Sequence, residues 1–357
     1  MTAHPELPEV AARYRICGLT LASEIDLPEL ILATGPAREP DIMVRKEHRV
    51  AGRTPDWFMS PTHPTGEPSL ACGKEPGGYR LRFPGLADFR VDVRGREIAC
   101  DAREGIPAAT IRHLLLDHVI PRTLSLLGID ALHATAILTP HGACAFAGPS
   151  GAGKSTLAAS FHLAGYPVLS DDCLVLQEGN DAILVTPAYP GVRLGDDAAT
   201  ALFGDRECAL PVAHHGPKRR VLTESHHGEF SPERTGLARI YNLVDASDAD
   251  EEFGAAVRIV EAIPGREAFM SLVESAYRLD VTDRGLLARQ FEFFERVASL
   301  VPVRRIRIPD DYSALPLIRD AILADLRIVS ASETGALELE RGSDGAPMAP
   351  EREPTAP

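Results

Sequence analysis

The stretch FAGPSGAGKSTLAASFHLAGYPVLSDD occupies residues 146–172 and decides the fold predicted for the segment around it. It reads as the end of a strand, a glycine-rich turn, a helix, and a second strand that ends in two aspartates. This order is typical of sheets whose parallel strands are joined by helical crossovers. The stretch therefore predicts an α/β domain.

The glycine-rich turn predicts a phosphate-binding loop (P-loop), because its letters GPSGAGKS satisfy the pattern G-x-x-x-x-G-K-[ST]. We expect the nucleotide to contact Gly148, Pro149, Ser150, Gly151, Ala152, Gly153, Lys154, Ser155 and Thr156. Glycines let backbone N–H groups turn towards anionic oxygens, and the following helix adds the positive end of its dipole. Lys154 would reach the β- and γ-phosphates, and the Ser155 hydroxyl would bind Mg²⁺. A chance match is the alternative, but the predicted strand before the loop and helix after it favour the site.

Asp171 and Asp172 close the second predicted strand, 17 and 18 residues after Lys154. The carboxyl ends of parallel strands line the ligand crevice of α/β sheets. Neighbouring strand residues point to opposite faces, so we expect two roles: one carboxylate at the metal and one accepting a proton from an attacking hydroxyl. A solvated turn is the alternative, since aspartates favour turns. The P-loop at this distance favours the catalytic interpretation.

His133 lies in the apolar run ALHATAIL, residues 131–138, which predicts a strand just before the P-loop strand. It stands 15 residues before Gly148. A histidine in such a run usually packs in the core, although its ordinary pKa also suits proton transfer. The residues alone leave both interpretations open.

The rest of the chain divides by its pattern into three predicted regions. Residues 1–104 contain short alternating runs between glycines and prolines and predict a small β-rich domain. Residues 105–328 hold the P-loop and predict its α/β domain, beginning with a helix that Pro121 kinks or breaks. Further along this domain, we predict a strand over 238–246, helical structure over 267–300, and a final helix over 314–326. Residues 329–357 are rich in Glu, Gly and Pro and predict a disordered tail.

Composition excludes several classes of protein. The net charge of −14 argues against a nucleic-acid partner, which would need a basic face. No apolar stretch approaches the ~18–20 residues that span a bilayer, and the N-terminus has no signal-peptide pattern. The six cysteines stand singly, without a C-x-x-C pair, as expected of buried thiols in a reducing compartment. We therefore expect a cytoplasmic protein without a membrane partner, and a homo-oligomer remains open.

Two further clusters of charged or histidine residues are candidate ligand sites. The basic run Lys218, Arg219 and Arg220 is either a clamp on phosphates or an acidic substrate, or an exposed strand edge. The paired histidines lack the i, i+4 spacing of a helical zinc motif and predict no metal site; they are His214, His215, His226 and His227.

The segments ALHATAIL, GPSGAGKST and AGYPVLSDD together resemble the kinase domain of bacterial HPr kinase/phosphorylase. That enzyme phosphorylates a serine of a small phosphocarrier protein and shares its P-loop fold with phosphoenolpyruvate carboxykinase. The resemblance implies an HPr-kinase-like serine kinase that uses ATP and Mg²⁺. It also implies that Asp171 is the general base, that His133 lies beside it, and that Asp172 works with Ser155 around the metal.

The chain departs from this family in two places. Thr156 stands where those kinases usually carry an acidic residue, and VTPAYPGVRLGDD replaces their glutamate-containing signature. The second metal carboxylate is therefore unassigned, with Asp196 and Asp197 as the candidates. The segments YRICGLTLASEIDLPEL, PAYPGVRL, GPKRRV and LARIYNLV are more similar to HPr-kinase-like proteins found beside lasso-peptide and other ribosomal-peptide genes.

Some members of that group phosphorylate a serine near the end of a precursor peptide. The resemblance therefore implies a peptide or small protein as the acceptor. The sequence leaves two alternatives open: a nucleotide-binding regulator that transfers nothing, and a kinase for a small metabolite.

Overall fold

A computed structural model describes residues 11–34, 39–47, 54–59, 69–204, 209–211, 218–221, 233–245 and 261–327. Within these ranges the protein is a mixed α/β structure built on two large sheets and one small sheet. The predicted tail and the four paired histidines lie outside the described residues.

The first sheet has nine strands in the order β3-β1-β2-β4-β9-β8-β7-β6-β5. Its strands are β1 Ala12–Ile16, β2 Leu19–Ser23, β3 Ile31–Leu32, β4 Ile42–Lys46, β5 Asp56–Met59, β6 Ala71–Glu75, β7 Gly78–Phe83, β8 Ala87–Asp92 and β9 Glu97–Ala102. Alternation of side chains places apolar residues on one face, as where Leu81 lies opposite Phe89 across β7 and β8 with both fully buried. The β-rich character predicted for this part of the chain is confirmed.

A helical segment then crosses to the second sheet. It comprises α1 Ala108–Leu114, a π-helical turn Leu115–Val119, α2 Ile120–Thr123 and a 3₁₀ turn Leu124–Leu127. The π turn ends two residues before Pro121. Proline has no N–H to donate to the preceding turn, so the change of helical type at this point follows from that residue.

The second sheet also has nine strands and carries the P-loop. Its strands are β10 Asp130–Leu132, β11 Thr135–Thr139, β12 Gly142–Ala147, β13 Val168–Ser170, β14 Leu174–Glu178, β15 Ile183–Thr186, β19 Thr235–Asp245, β20 Glu261–Ala262 and β21 Val303–Ile308. Strands β12, β19 and β21 run parallel to one another. Strand β11 lies between β12 and β13 and is antiparallel to both. The crossover through the P-loop helix therefore joins two parallel strands that are not direct neighbours.

The remaining elements cover the second sheet. A three-stranded sheet consists of β16 Val192–Gly195, β17 Ala209–Pro211 and β18 Lys218–Val221. The helices are α3 Lys154–Leu163, α4 Asp196–Phe203, α5 Gly265–Ser275, α6 Arg284–Leu300 and α7 over 315–327, which follows a 3₁₀ turn Tyr312–Ala314. None of the described helices is long and apolar enough to cross a membrane.

Two apolar runs of the sequence are each interrupted in the structure. The run 131–138 forms β10 and β11, with His133 in the break between them, where its N–H donates to the Ser275 carbonyl at 2.6 Å. The run after the P-loop helix forms β13 and β14, with the aspartate pair in the bend between them. Because β11 and β13 are antiparallel, the start of β11 and the end of β13 lie at the same end of the second sheet. Both breaks therefore place polar side chains at that end.

One hydrophobic core extends from the first sheet into the rest of the chain. It joins Ile16 and Phe89 of the first sheet to Leu115 of the helical segment, and reaches Cys173 and Tyr277 beside the aspartate pair. The helical segment and the first sheet therefore pack directly against the part of the chain that carries the site.

Leu115 is fully buried in this core, so we predict that Leu115→Ala lowers the free energy of unfolding by ~2–5 kcal/mol, because it removes packed atoms and leaves a cavity. Urea unfolding measures the change. The control is Leu32→Ala, since Leu32 is 62% exposed and should change stability by no more than about 0.5 kcal/mol. Equal effects of the two substitutions would contradict the packing described here.

Candidate functional site

The P-loop follows β12 at the carboxyl ends of three parallel strands, β12, β19 and β21. Gly148 has a φ of +134°, and a Cβ built on it would lie 2.5 Å from the carbonyl oxygen of Leu243 in β19. Only glycine allows this close approach. Gly151 and Gly153 also have positive φ, but no atom lies within 4 Å of a Cβ built on either. The loop is therefore anchored to the sheet at its first glycine and has open space at the other two.

Helix α3 begins at Lys154, directly after the left-handed Gly153. The Lys154 side chain is buried and folds back over the loop, where Nζ donates to the carbonyls of Gly148 and Pro149, both at 2.8 Å. The first N–H groups of a helix have no partners within the helix, and its dipole is positive at this end. The predicted P-loop geometry is thus suited to an anion.

The aspartate pair lies in a tight bend rather than on a strand. Asp172 has a φ of +63°, a left-handed conformation that aspartate adopts more readily than most residues. The N–H of Cys173 donates to the Asp171 carbonyl at 2.8 Å and closes the bend. Strand alternation, from which opposite directions of the two side chains were predicted, does not apply in this bend. The bend turns both carboxylates towards Arg193, whose Nη1 lies 4.0 Å from Asp171 and 3.4 Å from Asp172.

Asp171 is almost fully buried and accepts three hydrogen bonds. Its Oδ1 accepts from Ser155 Oγ at 2.8 Å and from Thr135 Oγ1 at 2.7 Å. Its Oδ2 accepts from the backbone N–H of Arg193 at 2.8 Å. Burial, together with the negative charge of Asp172, raises the pKa of Asp171 to about 6.

Asp172 faces a different set of partners. Its Oδ1 lies 3.7 Å from Nδ1 of His133, which is about one-third exposed. The Tyr277 hydroxyl donates to the Asp172 carbonyl at 3.0 Å and lies 3.2 Å from the same His133 nitrogen. Since the hydroxyl proton goes to the carbonyl, Nδ1 of His133 is the donor in its contact with Tyr277. Nε2 of a neutral His133 is then the nitrogen that can accept a proton.

A second buried cluster lies behind the pair. Arg193 Nη2 donates to Asp117 Oδ1 at 2.6 Å, and Tyr189 Oη donates to the same oxygen at 2.5 Å. His113 Nδ1 lies 2.5 Å from the other oxygen of Asp117. Burial alone would raise the pKa of Asp117, but Arg193 and His113 outweigh it and hold that pKa well below its usual range. Asp117 is therefore ionised at neutral pH.

The contacts of the two aspartates with Ser155 and His133 are the reverse of those predicted. The resemblance placed Ser155 with Asp172 and His133 with Asp171. In the structure, Ser155 contacts Asp171, and His133 lies beside Asp172. The physical reason is the left-handed bend, which swings the second aspartate away from the P-loop and towards His133.

Sequence reasoning missed Asp117, Thr135, Tyr189, Arg193 and Tyr277. Asp117 and Tyr277 lie far along the chain from the P-loop and the aspartates, and no motif spacing marks Thr135, Tyr189 or Arg193. Arg193 had one available signal, because it stands in the segment that replaces the expected glutamate-containing signature.

The two arginines of the basic run are engaged in structural contacts. Arg220 Nη2 donates to the carbonyls of Pro190 at 2.6 Å and Glu29 at 3.1 Å, and its guanidinium packs on the Tyr189 ring. Arg219 donates to Asp196 at 2.5 Å between two half-exposed side chains. Asp196, a candidate for the second metal carboxylate, is therefore paired with Arg219 here.

The donors near Ser155 fit a magnesium ion that is held mainly by phosphate and water. Magnesium is usually bound by one or two carboxylates together with phosphates. Within the described ranges, no group of three or more His, Cys, Asp or Glu side chains could hold a metal by itself. One hydroxyl and the nearby carboxylates are a sufficient protein contribution to such a site, and the P-loop offers the place for the phosphates.

No protein-family model matches the chain, and a search of curated proteins gives no match either. Among solved structures, it is similar to the Hpr(Ser) kinase/phosphatase from Coxiella burnetii, with 12% identity and a TM-score of 0.33. The match covers 58% of this chain and 97% of that one. Similarity at this level does not define a function, which must come from the residues of the site.

Because the pKa of Asp171 is raised from 3.8 to about 6, its ionisation destabilises the folded state. The folded protein binds more protons than the unfolded chain between these values, so this contribution to stability is present below about pH 4 and lost as pH rises through about 6. We predict that stability relative to Asp171→Asn falls across this range. Urea unfolding of both proteins at several pH values tests this, and a difference independent of pH would contradict it.

Proposed function

We propose that the protein is a kinase that transfers the γ-phosphate of ATP to a hydroxyl group and uses Mg²⁺. The single observation that carries this proposal is the contact at 2.8 Å between the P-loop hydroxyl of Ser155 and Asp171, with the more exposed Asp172 beside it. A P-loop hydroxyl paired with a strand-end carboxylate is the arrangement by which P-loop enzymes hold magnesium. A second carboxylate next to it supplies the base that binding alone does not need.

The distances favour a specific division of labour. In our proposal, the loop of residues 148–156 and Lys154 bind the triphosphate, while Ser155 and Asp171 hold the metal. Bound magnesium would neutralise charge on the phosphate oxygens. Asp172 accepts the proton of the incoming hydroxyl, and His133 orients it from a distance of 3.7 Å.

The proposed acceptor is a serine of a peptide or small protein, which includes precursor peptides of ribosomal origin. The resemblance in the P-loop, aspartate and PAYPGVRL segments supports this class. A small-metabolite kinase would use the same chemistry, and a nucleotide-binding regulator would use the P-loop alone. The buried aspartate pair favours transfer over binding, because a second buried carboxylate costs free energy to ionise and a site that only binds nucleotide does not require it.

We predict that Asp172→Asn lowers phosphate transfer by about 10²- to 10⁴-fold while nucleotide binding is retained, because the base is lost. Lys154→Ala should instead lose nucleotide binding, because its charge meets the phosphates. Transfer is measured with γ-labelled ATP and Mg²⁺ against serine-containing peptides and a panel of small hydroxyl compounds, and binding by titration with a fluorescent ATP analogue.

The matched control is Asp88→Asn, which removes a buried carboxylate paired with Arg82 in the first sheet and should keep the wild-type rate. If Asp172→Asn transfers phosphate at the wild-type rate, Asp172 is not the base. ATP binding without ADP release in the presence of any acceptor would favour the regulator. Labelling of small compounds alone would favour the metabolite kinase.

A further inference from the structure

Arg193 carries one positive charge and faces three carboxylates, which lie at different distances from its guanidinium. Its Nη2 makes a bond of 2.6 Å to Asp117, whereas its Nη1 lies 3.4 Å from Asp172 and 4.0 Å from Asp171. The first is a short charge-assisted hydrogen bond, and the other two are at or beyond the limit of one. The guanidinium is thus committed to Asp117 and only partly neutralises the aspartate pair.

We propose that Asp117 is a positioning residue that holds Arg193 back from Asp171 and Asp172 and so keeps both carboxylates available to a divalent cation. This inference rests on the proposed function, because it concerns the metal of that site. Without the charge of Asp117, the carboxylates left beside Arg193 would be those of the aspartate pair, and its guanidinium would compete with the metal for their oxygens.

The surroundings of Asp117 are built to keep it fixed. Tyr189 Oη donates to the oxygen that also binds Arg193, and His113 lies 2.5 Å from the other oxygen. Its position in the π-helical turn Leu115–Val119 places its side chain in the interior, with 4% exposed. His113 holds Asp117 from the preceding turn of the same helical segment, and Tyr189 holds it from a distant part of the chain, so its carboxylate has little freedom to follow Arg193.

A purely structural ion pair is the alternative, and the chain contains a matched example of one. Asp325 pairs with the buried Arg239 and accepts a hydrogen bond from Tyr241 at 2.9 Å. This trio has the same three side-chain types as Asp117, Arg193 and Tyr189. The contacts described for Arg239 and Tyr241 do not include either aspartate of the pair, so Asp325→Asn removes an equivalent charge away from the candidate metal.

The test measures binding of Mn²⁺, a paramagnetic substitute for Mg²⁺, to the protein loaded with a non-hydrolysable ATP analogue, by electron paramagnetic resonance. We expect Asp117→Asn to raise the Kd for Mn²⁺ about tenfold, because a nearby negative charge is lost and Arg193 is released. Affinity for the analogue without metal should be unchanged. Asp325→Asn should keep the Kd for Mn²⁺ within about twofold of the wild type, because the described partners of Asp325 do not contact the aspartate pair.

A second readout uses basal ATP hydrolysis, with water as the acceptor, at low and at saturating Mg²⁺. The defect of Asp117→Asn should shrink as Mg²⁺ rises, because excess metal competes with Arg193. A rate loss that metal cannot relieve would indicate a structural role and overturn the inference.

If Asp117→Asn does not fold, Tyr189→Phe and Tyr241→Phe form the substitute pair, since each removes one hydroxyl from an aspartate. Tyr189→Phe should weaken Mn²⁺ binding about threefold, the range of one hydrogen bond, and Tyr241→Phe should not. If Asp117→Asn and Asp325→Asn bind Mn²⁺ equally well, or if Tyr189→Phe and Tyr241→Phe do, the role of Asp117 is overturned. The proposed function would not be affected by that result. A wild-type protein that binds neither the analogue nor Mn²⁺ would overturn the proposed function as well.

Discussion

Burial of three carboxylates around one guanidinium is the constraint on which the site depends. Asp117, Asp171 and Asp172 are each more than nine-tenths buried and meet at Arg193, which is buried as well. Charges removed from water must be paired and hydrogen-bonded, so the positions of these four side chains are tightly restricted. The helical segment, the bend after β13 and strand β16 each carry part of this cluster. The relative placement of these three elements is the one that brings the three carboxylates and the guanidinium together.

The bend at the aspartates shows how backbone conformation sets the chemistry. A left-handed residue other than glycine costs of the order of 1 kcal/mol, and surrounding contacts must hold it. At Asp172, the Tyr277 hydroxyl binds the carbonyl, and Arg193 faces the side chain. This conformation separates two adjacent carboxylates by environment: one faces the P-loop hydroxyl, and the other faces a partly exposed histidine. Different surroundings are what allow neighbouring acids to take different roles.

Local features of the site were predictable from the sequence, and features that depend on distant contacts were not. The helix at Lys154, the strand through Tyr241 and the final helix follow patterns of spacing within a few residues, and the structure confirms them. The break at His133 has a tertiary cause, because a hydrogen bond to Ser275 interrupts the apolar run. The resemblance paired the two aspartates with the opposite partners, because it matches positions along the sequence and does not reveal the left-handed turn at Asp172.

The first sheet contributes to the site through the helical segment that it covers. Glu29 of this part of the chain accepts from Arg112 at 2.7 Å and lies beside Arg220, whose guanidinium packs on the Tyr189 ring. Tyr189 in turn binds Asp117. The same core continues across the boundary at residue 104 that composition predicts. Because the helix bearing Asp117 packs against this sheet, the sheet helps to fix how far Arg193 lies from the aspartate pair.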